Sequence, residues 1–84
     1  MPYNYQTERP KLFCEDGTRA LLFVRDRCAR AFIEYGAIML GKAIASGDVW
    51  VSIAAFDYLV ELGEIHEVTS GDVAGQHRVF VKAI

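Results

Sequence analysis

Residues 60–68 read Val-Glu-Leu-Gly-Glu-Ile-His-Glu-Val, and residues 78–82 read Arg-Val-Phe-Val-Lys. Glycine commonly ends a helix in the left-handed backbone conformation, so Gly63 predicts a helix end. The β-branched residues in 64–69 and 78–83 favour two strands. The glycines and the aspartate within 70–76 suit a hairpin loop between those strands. Together these stretches predict a helix that leads into a C-terminal β-hairpin.

The segment before Gly63 predicts a helix over residues 49–62. Asp48 is a good N-cap, because its carboxylate can accept hydrogen bonds from the first free backbone N–H groups. A shorter helix is expected over 37–45, weakened by Gly41 and ended by Ser46 and Gly47. The inward stripe of the 49–62 helix is expected to hold Val49, Ile53, Phe56, Leu59 and Val60.

A longer helix is predicted over residues 19–35, with Thr18 as N-cap and Gly36 just past its end. One apolar stripe suits the core, and a second strip, formed by Leu22, Ala29 and Ile33, lies to one side of it. A helix that is apolar over so much of its circumference is expected either to be central in the fold or to pack on two sides. The core stripe contains Leu21, Val24, Cys28, Ala31, Phe32 and Tyr35.

Residues 1–17 contain both prolines of the chain and are expected to form an N-terminal arm. Pro10 and the three residues after it suit a short edge strand, since proline is tolerated where a strand begins. Glu15-Asp16-Gly17 then reads as a turn. The expected fold class is α+β, with three helices followed by a C-terminal hairpin over residues 18–84.

This order of elements resembles the winged-helix family. The segment Val60-Glu61-Leu62-Gly63-Glu64-Ile65-His66-Glu67-Val68, with Arg78-Val79-Phe80 returning, looks like that family's junction, in which a helix ends in L-x-x-L-G-x-I and leads into the first wing strand. The chain also resembles short bacterial or phage-encoded proteins, a resemblance that carries no activity. The winged-helix resemblance implies that helix 49–62 enters the DNA major groove. The outward residues of that helix would be Trp50, Ala54, Asp57, Tyr58 and Glu61.

The charge distribution argues against this DNA-binding role. Residues 43–77 contain no lysine or arginine and six acidic residues, while the whole chain has a net charge of −2. DNA affinity depends on cations that replace condensed counterions, and base readout favours Arg, Lys, Asn and Gln. A groove-facing helix with carboxylates and no cation would be repelled by phosphate.

The sequence instead favours a non-catalytic protein-interaction module, a small regulator or adaptor. Trp50 and Tyr58 supply rigid contact area, and Asp57 and Glu61 suit a basic rim on a protein partner. The alternative for Trp50 is ordinary core packing. Because 52% of the 84 residues are hydrophobic, a small core cannot absorb them all, and a second copy of the chain is the simplest partner. The strip Leu22, Ala29 and Ile33 is the expected dimer surface.

Two alternatives stay open. A small DNA-binding regulator would use arginines of the 19–35 helix together with the wing. An inhibitor of a nucleic-acid-binding protein would use the acidic 43–77 surface, although a net charge of −2 is mild for a phosphate mimic. The candidate nucleic-acid contacts are Arg19, Arg27, Arg30, Arg78 and Lys82.

No motif for catalysis, metal binding or cofactor binding is found. Cys14, Cys28, His66 and His77 lack the C-x-x-C and H-x-x-x-H spacings of structural zinc sites, and no glycine-rich phosphate loop occurs. No apolar stretch approaches the roughly 20 residues that cross a membrane, and residues 1–11 lack a signal-peptide core. We therefore expect a cytoplasmic protein that is not an enzyme and holds no cofactor or metal.

Overall fold

The computed structural model describes residues 3–42, 49–68 and 78–83, and these ranges contain three α-helices, two 3₁₀ helices and one antiparallel sheet of three strands. The fold is therefore α+β, with the hairpin strands at its C-terminal end, as the sequence predicts. The helices are α1 (Tyr5–Glu8), α2 (Glu15–Glu34) and α3 (Val49–Glu61), the 3₁₀ helices are Arg9–Phe13 and Leu40–Lys42, and the strands are β1 (Ala37–Met39), β2 (Ile65–Glu67) and β3 (Val79–Lys82).

The sheet has the order β1-β3-β2, with β3 in the centre. His66 lies opposite Val81 and confirms the predicted antiparallel pairing of β2 with β3. On the other side of β3, Ile38 lies opposite Phe80. The hairpin loop predicted at 70–76 falls outside the part of the chain that the structure describes.

The short helix predicted over 37–45 is wrong at its beginning, because Ala37–Met39 form strand β1. These residues pair with the edge of β3 that β2 leaves free. The Leu40 N–H then donates a hydrogen bond to the Arg78 carbonyl at 2.8 Å. Ile38 and Leu40 become buried as a result. Tertiary pairing with β3 outweighs a local helix preference that Gly41 already weakens. Ser46, Gly47 and Asp48, the predicted end and cap, lie outside the described ranges.

The edge strand predicted at residues 10–13 is also wrong. Pro10 lies near the start of the 3₁₀ helix Arg9–Phe13, where its fixed φ is compatible with helical backbone. Helix α2 then begins at Glu15 with Cys14 as N-cap, so the predicted turn at 15–17 is its first turn. Thr18 is not the cap, because its hydroxyl instead donates a hydrogen bond to the Leu12 carbonyl at 2.8 Å.

Gly17 permits the 3₁₀ helix to lie directly against α2. A Cβ atom at this position would be 1.7 Å from the Lys11 carbonyl oxygen, which no side chain can tolerate. The glycine that suggests a turn in the sequence is therefore required for close backbone packing.

The core lies between α2, α3 and one face of the sheet. Phe56 of α3 stacks on Phe80 of β3 with ring centroids 4.8 Å apart. The predicted stripes are partly confirmed, since Val24 and Cys28 of α2 are buried, while Tyr35 is exposed because it follows the last helical residue. In α3, Ile53, Phe56 and Leu59 are buried as predicted, whereas Val49 and Val60 are exposed.

Candidate interaction surfaces

The N-terminal segment, residues 3–13, lies across the face of α3 that the sequence predicts as a partner-binding surface. The Tyr3 hydroxyl donates a hydrogen bond to Oδ2 of Asp57 at 2.6 Å. The Tyr5 hydroxyl donates to Oε1 of Glu61 at 2.8 Å, and Arg9 binds both oxygens of Glu61 at 3.0 and 2.7 Å. The acidic residues of this face therefore bind the N-terminal segment of the same chain.

The aromatic position of the same face is also occupied from within the chain. The Tyr58 ring meets the Phe13 ring edge to face, with centroids 5.6 Å apart and an interplanar angle of 88°. The Arg9 guanidinium lies 5.3 Å from the centroid of each ring. A cation over two aromatic rings adds electrostatic attraction to the apolar contact.

Burial and hydrogen bonding change the pKa values of the groups in this contact. Burial raises the pKa of Tyr5 to about 12, and its hydrogen bond to Glu61 acts in the same direction. Burial and the hydrogen bond to Asp57 raise the pKa of Tyr3 by more than that of Tyr5 is raised. The Arg9 hydrogen bond lowers the pKa of the Glu61 carboxyl. Both hydroxyls are therefore held in the protonated form that donates to carboxylate.

A buried ion cluster lies beneath the N-terminal segment and joins α3 to β2 and to the residue that precedes β3. Arg78 Nη2 is 2.7 Å from Oδ1 of Asp57 and 2.8 Å from Oε1 of Glu67, and Nε donates to Oε2 of Glu67 at 2.9 Å. The side chains of Arg78, Asp57 and Glu67 are only 7%, 18% and 22% exposed. Burial by itself lowers the pKa of Arg78, but the hydrogen bonds to Glu67 and Asp57 outweigh it and raise this pKa.

These contacts revise the predicted α3 surface. Ala54 is fully buried, so its prediction as an outward residue is wrong. Trp50 and Tyr58 are half-buried and pack against the core, and Asp57 and Glu61 hold the N-terminal segment. Helical periodicity places these residues on one face correctly, but it carries no information about a segment some fifty residues earlier in the chain. Sequence reasoning therefore missed Tyr3, Tyr5, Arg9 and Phe13 as contacts of that face.

The outer face of α2 is exposed in contrast. The predicted dimer strip lies on this surface, where Ile33 is 88% and Leu22 is 57% exposed and Ala29 is also exposed. Asp26 and Arg30 lie among these apolar residues and form an ion pair one turn apart, with Arg30 Nε 3.0 Å from Oδ2 of Asp26. We call Leu22, Asp26, Ala29, Arg30 and Ile33 the outer α2 face.

A groove of about 310 Å³ continues the outer α2 face toward the hairpin. Ala29 and Ile33 line both the face and the groove, and the core residues Leu59 and Ile65 are also in its lining. The ion pair of Arg25 with Glu64, at 2.9 Å, lies among the lining residues. The other lining residues are Cys28, Phe32 and Lys82.

The residues expected to contact nucleic acid do not form one cationic surface. Arg78 is buried in the ion cluster, Arg19 pairs with Glu15 at 2.9 Å and Asp16 at 3.4 Å, and Arg30 pairs with Asp26. Arg27 and Arg30 line a second cavity, of about 580 Å³, that Glu34 and β1 also line. Lys82 is exposed, on the groove side of β3.

The cysteines and the histidine that the structure describes do not assemble into a reactive or metal-binding group. Cys28 is buried, and burial raises the pKa of its thiol to about 12, which disfavours the reactive thiolate. Cys14 caps α2, and His66 is exposed on β2. Within residues 3–42, 49–68 and 78–83, no three His, Cys, Asp or Glu side chains are placed to hold a metal ion.

Over the same ranges, no helix has the length and apolar character needed to cross a membrane.

Comparison with protein-family models, curated proteins and solved structures finds no match to this chain.

Proposed function

We propose that this protein is a non-catalytic protein-interaction module, a small regulator or adaptor that binds a protein partner through the outer α2 face and its groove. The observation that carries this proposal is the exposure of Leu22 and Ile33 next to an apolar groove. Single exposed apolar residues are ordinary, whereas exposed apolar residues that adjoin an apolar groove with a polar rim are typical of a binding site. Arg25, Glu64 and Lys82 supply that rim.

The partner surface is assigned to α2 because the α3 face already has its contacts. Asp57 and Glu61 each hold a hydrogen bond from a tyrosine and an ion pair with an arginine. A partner that used them would have to displace residues 3–13 and expose these charges. The outer α2 face requires no such rearrangement.

A winged-helix architecture belongs to the same proposal. The order α2, β1, 3₁₀ helix, α3, β2 and β3 is compatible with that fold. The burial of Arg78 and the local pairing of Arg19 and Arg30 weigh against nucleic acid as the partner. Phosphate mimicry is disfavoured as well, since Asp57, Glu61, Glu64 and Glu67 are all paired with arginines. A cytoplasmic setting fits the two free cysteines.

Site-specific photo-crosslinking in cells tests this proposal. A photo-reactive amino acid at position 33 is compared with the same residue at position 6, because Gln6 is an exposed residue of α1 and does not belong to the outer α2 face. Position 33 is expected to give a discrete protein adduct, identified by mass spectrometry, and position 6 is not. Equal labelling at both positions, or none at position 33, would show that the outer α2 face is not a contact surface.

A further inference from the structure

We infer that the occupant of the outer α2 face is a second copy of this chain, with the two α2 helices antiparallel about a two-fold axis. In this arrangement Leu22 packs on Ile33 of the second copy, and Asp26 pairs with its Arg30. The inference rests on the proposed function and names the partner of the same surface.

The first support is the position of these residues on the helix. With 3.6 residues per turn, Leu22, Asp26 and Ile33 fall on one stripe along α2, opposite the buried Val24 and Cys28. Arg30 and Ala29 flank this stripe on either side. The stripe therefore points away from the core, where a second helix can reach it along about three turns.

The second support is the symmetry of the stripe. When a two-fold axis is perpendicular to two antiparallel helices, a residue that lies a given number of positions before the axis in one copy is opposite the residue that lies the same number of positions after it in the other copy. The midpoint between Leu22 and Ile33 falls between Arg27 and Cys28, and the midpoint between Asp26 and Arg30 is Cys28. One axis beside Cys28 therefore produces two contacts between Leu22 and Ile33 and two ion pairs between Asp26 and Arg30, each joining one copy to the other.

The third support is charge complementarity. The side chains of Asp26 and Arg30 are 60% and 76% exposed, so both can reach a neighbouring helix. In the antiparallel arrangement each carboxylate faces a guanidinium of the other copy. A parallel pair in register would instead place Asp26 against Asp26 and Arg30 against Arg30. The small side chain of Ala29 allows the helices to approach closely near the axis.

Two charge reversals test the inference by sedimentation equilibrium of the purified chain. Asp26→Arg leaves only arginines at positions 26 and 30, and Arg30→Asp leaves only aspartates. Each variant alone is expected to dimerise at least about tenfold more weakly than the wild type, because like charges then face each other. An equimolar mixture is expected to recover dimers, since every arginine of one variant faces an aspartate of the other.

The control is a second ion pair of the same helix. Glu15 and Arg19 are also four residues apart and 2.9 Å from each other, but Arg19 would face position 36 of the second copy, beyond the last residue of its α2, Glu34. Glu15→Arg and Arg19→Asp are therefore expected to dimerise like the wild type. Circular dichroism of each variant checks that the fold is retained, and Ile33→Asp, at a position with almost no intrachain packing, is a further variant expected to be monomeric.

A wild type that stays monomeric over about a hundredfold range of concentration would overturn the inference. A mixture that stays as monomeric as its components would also overturn it, as would equal weakening by the control reversals. If the wild type is monomeric but position 33 still crosslinks to another protein in cells, the proposed function survives and only the second copy is excluded. If neither association is found, both proposals fail.

Discussion

Helices α3 and α2 both carry apolar and charged side chains beyond what one core-facing stripe requires, but the described residues of the chain cover only one of these two surfaces. On α3, the N-terminal segment and the Arg78 cluster bind the charged residues Asp57 and Glu61. On α2, Leu22 and Ile33 remain exposed, and Asp26 and Arg30 contact each other within a single turn.

This difference shows that composition alone does not identify a binding surface. The α3 face contains aromatic residues of the kind enriched at interfaces, together with acidic residues that could meet a basic partner, yet these residues connect parts of the same chain. The outer α2 face contains fewer aromatic residues but has nothing from the described ranges packed over Ile33, which is almost fully exposed. Four predictions distinguish charges that hold the fold together from charges that lie at its surface.

The largest expected effect is at the centre of the α3 contact. Replacing Arg78 with methionine leaves Asp57 and Glu67 as partly buried carboxylates without their cation, and removal of one partner from a buried ion pair typically costs about 3–5 kcal/mol. Urea unfolding is expected to show a loss of this size. Arg25→Met is the matched control, because Arg25 is 58% exposed in its pair with Glu64, and its loss should be below about 1 kcal/mol. Equal losses for the two variants would contradict the buried cluster.

A smaller effect is expected where the N-terminal segment meets α3. Tyr3→Phe removes the hydroxyl that donates to Asp57, and a hydrogen bond to a charged group contributes about 1.5–3 kcal/mol. Tyr5→Phe removes the same group from the more exposed bond to Glu61 and should cost less than about 1 kcal/mol. Urea unfolding of the two variants gives the comparison. A larger loss for Tyr5→Phe would mean that the segment is held mainly at its exposed end.

The same tyrosines predict how stability depends on alkaline pH. The folded protein raises the pKa of Tyr5 from 10.0 to about 12 and also raises that of Tyr3. When folding raises the pKa of a group, the stability that the group contributes is fully present at a pH below its pKa in the unfolded chain. That stability is lost as the pH rises through its pKa in the folded protein. The free energy of unfolding should therefore decrease between pH 10 and about 12. The double variant Tyr3→Phe, Tyr5→Phe should show a shallower decrease, and an unchanged slope would exclude the tyrosines as its cause.

The smallest effect is expected on α2. Arg19→Ala removes an exposed cation from Glu15 and Asp16, and such pairs within one helix contribute about 0.3–0.5 kcal/mol. Because salt screens exposed charges, the difference from the wild type should nearly vanish in concentrated salt. A loss as large as that of Tyr3→Phe would indicate that Arg19 has a tertiary role.

Features set by local sequence could be predicted, and features set by distant partners could not. Gly36 and Gly63 follow α2 and α3 with φ values of +80° and +77°, the conformation that glycine adopts most easily. The pairing of β2 with β3 could be predicted from the β-branched residues of both stretches and from the glycines and the aspartate between them in the sequence. Strand β1, in contrast, exists because β3 has a free edge, and no signal within residues 37–39 reveals that partner.

Charged residues were the least predictable part of the candidate site. Arg78 immediately precedes β3, and the sequence suggests it as a nucleic-acid contact only under the alternative DNA-binding function. Its burial depends on carboxylates from α3 and β2 that meet only in the folded chain. The exposure of Leu22 and Ile33 could be anticipated because their strip lies to one side of the core stripe of the same helix.

The position of the N-terminal segment also has a consequence for the order of folding. Tyr3 and Tyr5 bind partners 54 and 56 residues further along the chain. Closing a loop of that length costs more conformational entropy than forming a helix or a hairpin, so these contacts are expected to form after α2 and the hairpin. A segment that is synthesised before α2 and α3 is thus among the last of the described residues to reach its native contacts.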